Sequence, residues 1–274
     1  MNRQEIKLNL SERALYGQYY AAEQSKAVVI IVHGMGEYGR RYERSVVPEF
    51  LKNSISVLSY DQFGHGKSDG KKGHHPGYEL LLDSLDLMID KTKELFEGLP
   101  VFLYGHSMGG NVVIHYALNR PGKIKGLIVT SPFLRLSFTP PSWKLFLGKL
   151  MGILWPSITL PNELELEALS RDQNEITAYI SDPMVHDRVS YAYSIEFMDK
   201  GEWAIEHADQ LQIPMLLLHG TADRLTDHKA SEEFTQKAGN IVEYQPVEGG
   251  FHELHHDLDR EVTIQKIITW IHET

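Results

Sequence analysis

The sequence contains no cysteine among its 274 residues. Disulfide bonds, thiolate metal ligands and a cysteine nucleophile are therefore excluded. Positive charge is also in short supply, since 27 Lys and Arg residues stand against 37 Asp and Glu residues, for a formal net charge of -10 at pH 7. This surplus of negative charge repels polyanions, so we expect no nucleic-acid partner.

Long apolar segments are missing as well. No stretch reaches the roughly 18 consecutive apolar residues that indicate a membrane-spanning helix. Residues 1–11 lack the apolar segment of a secretory signal peptide, so we expect a cytoplasmic protein. Hydrophobic residues nevertheless make up 42% of the chain, which is enough for a sizeable core. The composition gives no indication of the oligomeric state.

Short apolar runs alternate with helical patterns along the chain. Two segments at the start, 5–10 and 14–22, predict an antiparallel pair of strands. The runs that follow have no alternating polar residues, which is typical of parallel strands buried on both faces. They lie at residues 27–32, 56–60, 101–104, 126–130 and 215–218, and a last strand is predicted at 242–244. Helices are predicted between them, most clearly at 78–96 and about 257–272, so the order indicates an α/β fold with a mostly parallel central sheet flanked by helices.

One interval breaks this alternation. Residues 132–210 separate two predicted neighbouring strands and are far too long for an ordinary crossover. We predict an inserted helical cap there, with residues 1–131 and 211–274 forming the core domain. Within the cap, apolar side chains recur at helical spacing, and we favour packing of this stripe against the core over contact with a lipid surface. The stripe comprises Trp143, Phe146, Leu147, Leu150, Met151 and Leu154.

The pentapeptide Gly105-His106-Ser107-Met108-Gly109 has the form G-x-S-x-G. A strand is predicted before it and a helix after it, an order that is typical of a nucleophile elbow. Such a turn holds the serine in a strained, exposed conformation. We therefore predict that Ser107 is the nucleophile and that the Met108 amide, at the helix N-terminus, donates to an oxyanion.

A serine nucleophile needs a histidine base and an acid that orients the base. In folds with this elbow, the acid and then the histidine follow the serine along the chain. Asp223 follows the predicted strand 215–218, whereas Asp227 fits the start of a helix, so we predict Asp223 as the acid. His252 lies in a loop after the last strand and is the predicted base. The Met35 amide, after the first parallel strand, is the predicted second oxyanion donor.

Residues 252–256 also match H-E-x-x-H, the signature of zinc proteases. That signature needs both histidines on one regular helix and a third ligand further along the chain. Gly249 and Gly250 lie just before the first histidine and oppose such a helix. We therefore expect no metal site and assign His252 to the base.

Taken together, these motifs resemble those of the α/β-hydrolase superfamily, and within it the monoacylglycerol lipase and lysophospholipase group. The resemblance implies an α/β-hydrolase fold, a Ser107–Asp223–His252 triad and a helical cap over an acyl-binding channel. It also implies hydrolysis of a small lipid ester in two steps through an acyl-serine, with no metal or organic cofactor. The matching blocks are residues 33–42, 61–70, 105–110, 219–227 and 251–257, with residues 181–185 similar to the group's cap motif.

The resemblance further implies a rim that meets the hydroxyls of the leaving glycerol. Glu37 and Arg41 closely follow Met35, and His255 follows His252 by about one helical turn. We therefore predict that Glu37, Arg41 and His255 bind the head group. The alternative for the first two is a helical salt bridge with no ligand role.

Other activities use the same three catalytic residues. A lysophospholipase or a short-chain carboxylesterase would share the triad, whereas a peptidase would need an acidic cluster in the cap to hold a free amine. Glu163, Glu165 and Glu167 are candidates for such a cluster. The alternative from a different class is a catalytically inactive binding protein of the same fold, which a complete triad argues against.

Overall fold

The computed structural model describes residues 2–274 and is built around an eight-stranded sheet. The strands of the chain are β1 (Arg3–Leu10), β2 (Arg13–Tyr20), β3 (Ala27–Val32), β4 (Ile55–Tyr60), β5 (Val101–His106), β6 (Gly126–Thr130), β7 (Thr159–Pro161), β8 (Arg188–Ser190), β9 (Met215–Gly220) and β10 (Val242–Val247). The order in the sheet is β1-β2-β4-β3-β5-β6-β9-β10, and β7 pairs with β8 separately. The β1–β2 and β2–β4 pairs are antiparallel, and every later pair in the sheet is parallel. The predicted fold class is confirmed.

Helices cover both faces of this sheet. They are α1 (Val46–Lys52), α2 (Tyr78–Leu95), α3 (Met108–Asn119), α4 (Ser142–Leu154), α5 (Gln173–Ser181), α6 (Tyr191–Glu206), α7 (His228–Ala238) and α8 (Arg260–Glu273). Along β3, Val29 and Ile31 join the apolar cluster under α1 and α8, while Ile30 and Val32 join the cluster under α2, α3 and α7. The parallel strands need apolar residues at successive positions because each face of the sheet packs against helices.

The topology determines where a site can form. β3, β5, β9 and β10 run parallel, so the loops that follow them all leave from one edge of the sheet. Those loops contain the residues that the sequence motifs single out.

An insertion of helices and two short strands separates β6 from β9. It contains α4, β7, α5, β8 and α6. Helix α6 packs both on α4 within the insertion and on α3 in the core, so the insertion is not separated from the core by a gap in packing. The bounds 132–210 of the cap therefore stay a prediction. Within residues 2–274, no helix is long and apolar enough to cross a membrane.

The expected packing of the apolar stripe on α4 is wrong. Trp143 is 64% exposed and Phe146 is 73% exposed, and among the residues of α4 only Gly148 is buried. Gly148 faces Ile195 of α6, and Gly152 faces Ala192. Because glycine has no side chain, the face of α4 that carries these two residues lies against α6, and the larger side chains point outward.

Candidate active site

The predicted nucleophile lies at a sharp turn between β5 and α3. Ser107 has a φ of 53°, a left-handed conformation that is unusual for a residue with a side chain. A Cβ on Gly105 would lie 2.5 Å from the carbonyl oxygen of Gly109, and a Cβ on Gly109 would lie 2.0 Å from that of Val32. Both positions therefore require glycine, and the predicted strand–turn–helix arrangement is confirmed.

The structure brings Ser107, His252 and Asp223 into one hydrogen-bonded chain. The Ser107 hydroxyl donates to Nε2 of His252 over 2.9 Å. Nδ1–H of His252 donates to Oδ2 of Asp223 over 2.7 Å, with the tautomer assigned from these two contacts. The three side chains come from the loops after β5, β9 and β10, so residues far apart in sequence meet at one edge of the sheet.

Asp223 is held by more donors than the histidine alone. The amides of Leu225 and Thr226 donate to Oδ1 at 2.8 and 3.1 Å, and the Thr226 hydroxyl donates to Oδ2 at 2.9 Å. Burial raises the pKa of Asp223, but the charge of His252 and hydrogen bonds from His219 and His252 have the larger, opposite effect. The net pKa of Asp223 lies well below its ordinary value. The carboxylate is therefore ionised and fixed in orientation.

The pKa of His252 is shifted in the opposite direction. Burial lowers this pKa, but the charge of Asp223 and their hydrogen bond raise it more, and Glu253 and Glu37 add to the effect. The net pKa of His252 lies above its ordinary value of 6.5. The environment thus favours the protonated form of the His252 imidazole.

Asp227 has the structural role that its position predicts. It is the N-cap of α7, and its carboxylate accepts a hydrogen bond from the Lys229 amide over 3.0 Å. This contact satisfies a free amide at the start of the helix. The choice of Asp223 over Asp227 agrees with this geometry.

The two predicted oxyanion donors, Met35 and Met108, follow two neighbouring strands, β3 and β5. Met108 is the first residue of α3, where backbone amides have no partner within the helix. Met35 follows β3, and both methionines line the same pocket as Ser107. Next to Met35, Gly36 has a φ of 77°, and its carbonyl accepts a hydrogen bond from the amide of His186 in the cap over 2.9 Å.

The pocket above Ser107 is lined mainly by apolar side chains. Loops of the core and elements of the cap both contribute to its wall. Polar side chains also line it and include Glu37, His106, Asn162, Thr226 and Glu253. The pocket therefore suits a molecule with a long apolar part and one reactive polar group. Apolar residues of the wall include Phe133, Leu136, Phe138, Leu164, Val189 and Met198.

Two of the three predicted head-group residues do not lie at the rim. Arg41 is 3% exposed and ion-paired to Glu37 and Glu253. His255 is fully buried, with its ring stacked on Tyr42. The rim position predicted for Arg41 and His255 is wrong, whereas Glu37 does line the pocket.

The wrong position of His255 has a local cause. The prediction assumed that the closing helix continues back to His255, but α8 begins only at Arg260. Residues 254–256 form a short 3-10 turn instead, which rotates the side chain of His255 into the core.

The H-E-x-x-H segment is likewise not a regular helix. The side-chain ligand atoms of Glu253, His255 and His256 do lie within 4.8 Å of one another. However, both carboxylate oxygens of Glu253 accept hydrogen bonds from Arg41. His252, the first histidine of the signature, contacts Ser107 and Asp223 instead.

Sequence reasoning missed two residues near the site. Glu253 directly follows His252 and lines the pocket, and Tyr179 on α5 lines it from the cap. A carboxylate next to the predicted base was a signal for the first. No sequence signal singles out Tyr179, since its partner Arg41 lies far away along the chain.

The comparisons with known proteins agree with this geometry. An uncharacterized abhydrolase domain-containing protein of Dictyostelium discoideum is 35% identical over 90% of this chain, which spans only 26% of that protein. A monoglyceride lipase homolog of Monkeypox virus is 30% identical over 96% of both chains. The crystal structure of the Paleococcus ferrophilus monoacylglycerol lipase superposes with a TM-score of 0.86 at 34% identity, covering 94% of this chain and 98% of that one.

The broadest match is to a family. Residues 23–259, which include the cap and all three residues of the Ser107–His252–Asp223 chain, match the family described as serine aminopeptidase, S33. The chain therefore belongs to this family of α/β-hydrolases.

Proposed function

We propose that the protein is a serine hydrolase that cleaves monoacylglycerol-type lipid esters to a fatty acid and glycerol. The observation that carries this proposal is the hydrogen bond from Ser107 to His252, located at the polar end of an apolar pocket. A serine hydroxyl becomes a nucleophile when a base accepts its proton. An apolar pocket gives the acyl chain of such an ester a place to bind.

In the first step, His252 takes the proton of Ser107 as the hydroxyl oxygen attacks the ester carbonyl. The amides of Met35 and Met108 then stabilise the oxyanion of the tetrahedral intermediate. Asp223 holds the imidazole in the required tautomer and stabilises its positive charge. His252 returns the proton to the alkoxide, so glycerol leaves and the acyl group remains on Ser107.

In the second step, water takes the place of the serine. His252 accepts a proton from this water as it attacks the acyl-serine carbonyl. The same two amides stabilise the second tetrahedral intermediate. Its collapse breaks the bond to the Ser107 oxygen, which regains its proton from His252, and the fatty acid leaves.

The acidic residues of the cap argue against an aminopeptidase. Glu163, Glu165 and Glu167 are all exposed, and the leucines between them are partly buried. Glu165 pairs with Arg224 on the surface, over 2.9 Å. A free amine in the pocket would therefore meet Leu164 and not a carboxylate of this cluster.

The names of the relatives favour a glycerol ester over other lipids. Proteins from human, Monkeypox virus and Mycolicibacterium smegmatis that resemble this chain are named monoglyceride or monoacylglycerol lipases. A similar protein of Bacillus subtilis is named a phospholipase, so a lysophospholipid is the second candidate substrate. Glu37, the one predicted head-group residue that lines the pocket, is our candidate contact for a glycerol hydroxyl.

We also propose that α4 touches a lipid surface while substrate enters. The helix exposes Trp143, Phe146 and Ile153, and the last of these is 79% exposed. A cluster of large apolar side chains on the surface is unusual in a soluble domain and favours contact with lipid or another protein. The helix packs on α6, which itself lines the acyl pocket through Tyr193 and Met198, and this location favours lipid.

A substrate panel tests the main proposal. Purified protein is given monoacylglycerols, lysophospholipids and p-nitrophenyl esters of graded chain length. We expect the highest kcat/KM on monoacylglycerols, rising with chain length, because each buried methylene adds up to about 0.8 kcal/mol of binding. Faster cleavage of lysophospholipids would favour the second candidate, and no hydrolysis of any ester would contradict the proposal.

A further inference from the structure

Three buried charged side chains lie between the two catalytic loops. Nη1 of Arg41 donates to Oε2 of Glu37 over 2.7 Å and to Oε1 of Glu253 over 2.7 Å. Nη2 of Arg41 donates to Oε2 of Glu253 over 3.0 Å. All three residues are at most 3% exposed. Because burying charges is costly, such a group is stable only when every member is paired, as it is here.

Each carboxylate of this group lies next to one part of the catalytic machinery. Oε1 of Glu37 accepts a hydrogen bond from the Gly34 amide over 2.6 Å, immediately before Met35. Glu253 immediately follows His252 in the chain. The guanidinium of Arg41 therefore connects the loop of one oxyanion donor to the loop of the base.

The cap contacts the same group. The ring of Tyr179 lies 4.7 Å from Cζ of Arg41, in a cation–π arrangement. The Glu253 amide donates to the carbonyl of Leu169 in the cap over 2.8 Å. Oε2 of Glu253 also faces Nδ1 of His256 at 3.0 Å, so neither of its oxygens lacks a partner.

We infer that Glu253, held by Arg41, is a positioning residue that fixes the His252 loop against the oxyanion loop and stabilises the protonated imidazole of His252. This inference rests on the proposed ester hydrolysis. A bidentate ion pair with a planar guanidinium restricts both distance and angle, which a single hydrogen bond does not. Displacement of a catalytic group by as little as about 1 Å can slow a reaction on the order of 100-fold.

The charges around His252 single out Glu253 as a source of this effect. Asp223 bonds directly to the imidazole, with His219 behind it, and the ring of His106 lies 4.9 Å away, centroid to centroid. Burial lowers the pKa of His106 to well below its ordinary value, so this ring stays neutral. His255 is also neutral for the same reason. Of the two remaining carboxylates, Glu253 raises the pKa of His252 more than Glu37 does, and Arg41 and His256 are both bonded to Glu253.

Glu253 itself remains charged. Burial raises its pKa, but the charge of Arg41 and hydrogen bonds from His256 and Arg41 lower it to well below its ordinary value. Its negative charge favours the protonated form of His252. Removing that charge should therefore lower the pKa of His252.

The test compares three variants on p-nitrophenyl butyrate, an ester without glycerol hydroxyls. Glu253→Gln keeps the shape of the side chain but removes its negative charge. Arg41→Lys keeps the positive charge but removes the planar guanidinium that bonds both oxygens of Glu253. Glu248→Gln is the matched control, because Glu248 is an exposed carboxylate on the same loop. The readouts are kcat, KM, the pH dependence of kcat/KM and thermal unfolding.

We expect Glu253→Gln to lower kcat by about 10- to 100-fold with KM changed less than about threefold. The pH at which kcat/KM of this variant falls on the acidic side should be lower than in wild type. Arg41→Lys should lower kcat by a similar factor, with no change in the pH at which kcat/KM falls. Glu248→Gln should behave as wild type.

Several outcomes would overturn the inference. Wild-type kcat and pH profile in folded Glu253→Gln would do so, as would a loss seen with a monoacylglycerol but not with the butyrate ester. If Glu253→Gln does not fold, an unchanged kcat in Arg41→Lys is the overturning result. Failure of the proposed function looks different, since wild type itself would then not hydrolyse the butyrate ester.

Discussion

Glycine has opposite structural effects in two regions of the molecule, the turn before α3 and helix α4. At the turn before α3, Gly105 and Gly109 let backbone segments approach so closely that Ser107 is held in a left-handed conformation. On α4, Gly148 and Gly152 let the helix lie against α6, and the large apolar side chains point to solvent. The first arrangement fixes the chemistry, and the second leaves an apolar surface available. Close backbone approach thus serves rigidity in the core and exposure in the cap.

The largest difference should come from removing the base. We expect His252→Ala to lower kcat by roughly 10⁴- to 10⁶-fold, because the members of a triad act as one unit. His272→Ala is the control, since that histidine is exposed at the end of the chain. Hydrolysis of a p-nitrophenyl ester measures both variants. A His252→Ala enzyme with more than about a tenth of wild-type kcat would refute the assignment.

A pair of glycine substitutions separates the two regions directly. In Gly109→Ala the new methyl group would meet the Val32 carbonyl at 2.0 Å, so we expect lower stability and at least about a 100-fold loss of activity. In Gly148→Ala the nearest atom lies at 3.5 Å, an ordinary contact. That variant should unfold at the same or a higher temperature, because alanine stabilises a helix by up to about 1 kcal/mol over glycine. Equal destabilisation by both substitutions would contradict the comparison.

The pH dependence sharpens the account of the rigid region. His252 must be neutral to act as a base, and its pKa lies above the ordinary value of 6.5 because of Asp223. We therefore expect kcat/KM on a neutral ester to fall as the pH drops, with a midpoint above 6.5. In Asp223→Asn the midpoint of the remaining activity should move to lower pH. A wild-type midpoint below 6.5 would show that the carboxylate does not dominate this site.

The smallest effect is expected from the exposed face of α4. Phe146→Ser and Ile153→Ser should change stability by no more than about 0.5 kcal/mol, because both side chains are mostly in solvent. They should slow hydrolysis of a monoacylglycerol in phospholipid vesicles several-fold while leaving a water-soluble ester unaffected. Vesicle co-sedimentation and the two assays measure this. Equal rates on vesicles for wild type and both variants would argue against lipid contact.

The same two regions show what sequence alone can predict. The elbow was predictable because its strand, serine and helix are contiguous in the sequence. Asp223 and His252 were predictable because they follow neighbouring parallel strands whose ends meet at one edge of the sheet. The outward orientation of the apolar stripe on α4 was not predictable. Both the apolar stripe and the glycine face of the helix are suited to packing, and the sequence of α4 does not show which of them contacts α6. The spacing of the stripe was right, and only its direction was wrong.

The buried ion pairs around Arg41 show a second limit. Arg41 and Glu253 are 212 positions apart, and their contact depends on how two loops meet in three dimensions. The Glu37–Arg41 salt bridge, the alternative to head-group binding, does form, but it is buried and shared with Glu253, so it is not the surface pair that spacing alone suggests. His255 was misplaced because the sequence does not show at which residue the closing helix begins.

The most direct test of the central claim is covalent labelling of the serine. Wild-type protein and Ser107→Ala are treated with a fluorophosphonate, and the modified peptide is identified by mass spectrometry alongside hydrolysis of a monoacylglycerol. We predict one label per chain on Ser107, loss of hydrolysis in proportion to labelling, and neither labelling nor turnover in folded Ser107→Ala. Hydrolysis that survives complete labelling, or a label on another residue that accompanies the loss of activity, would contradict the account.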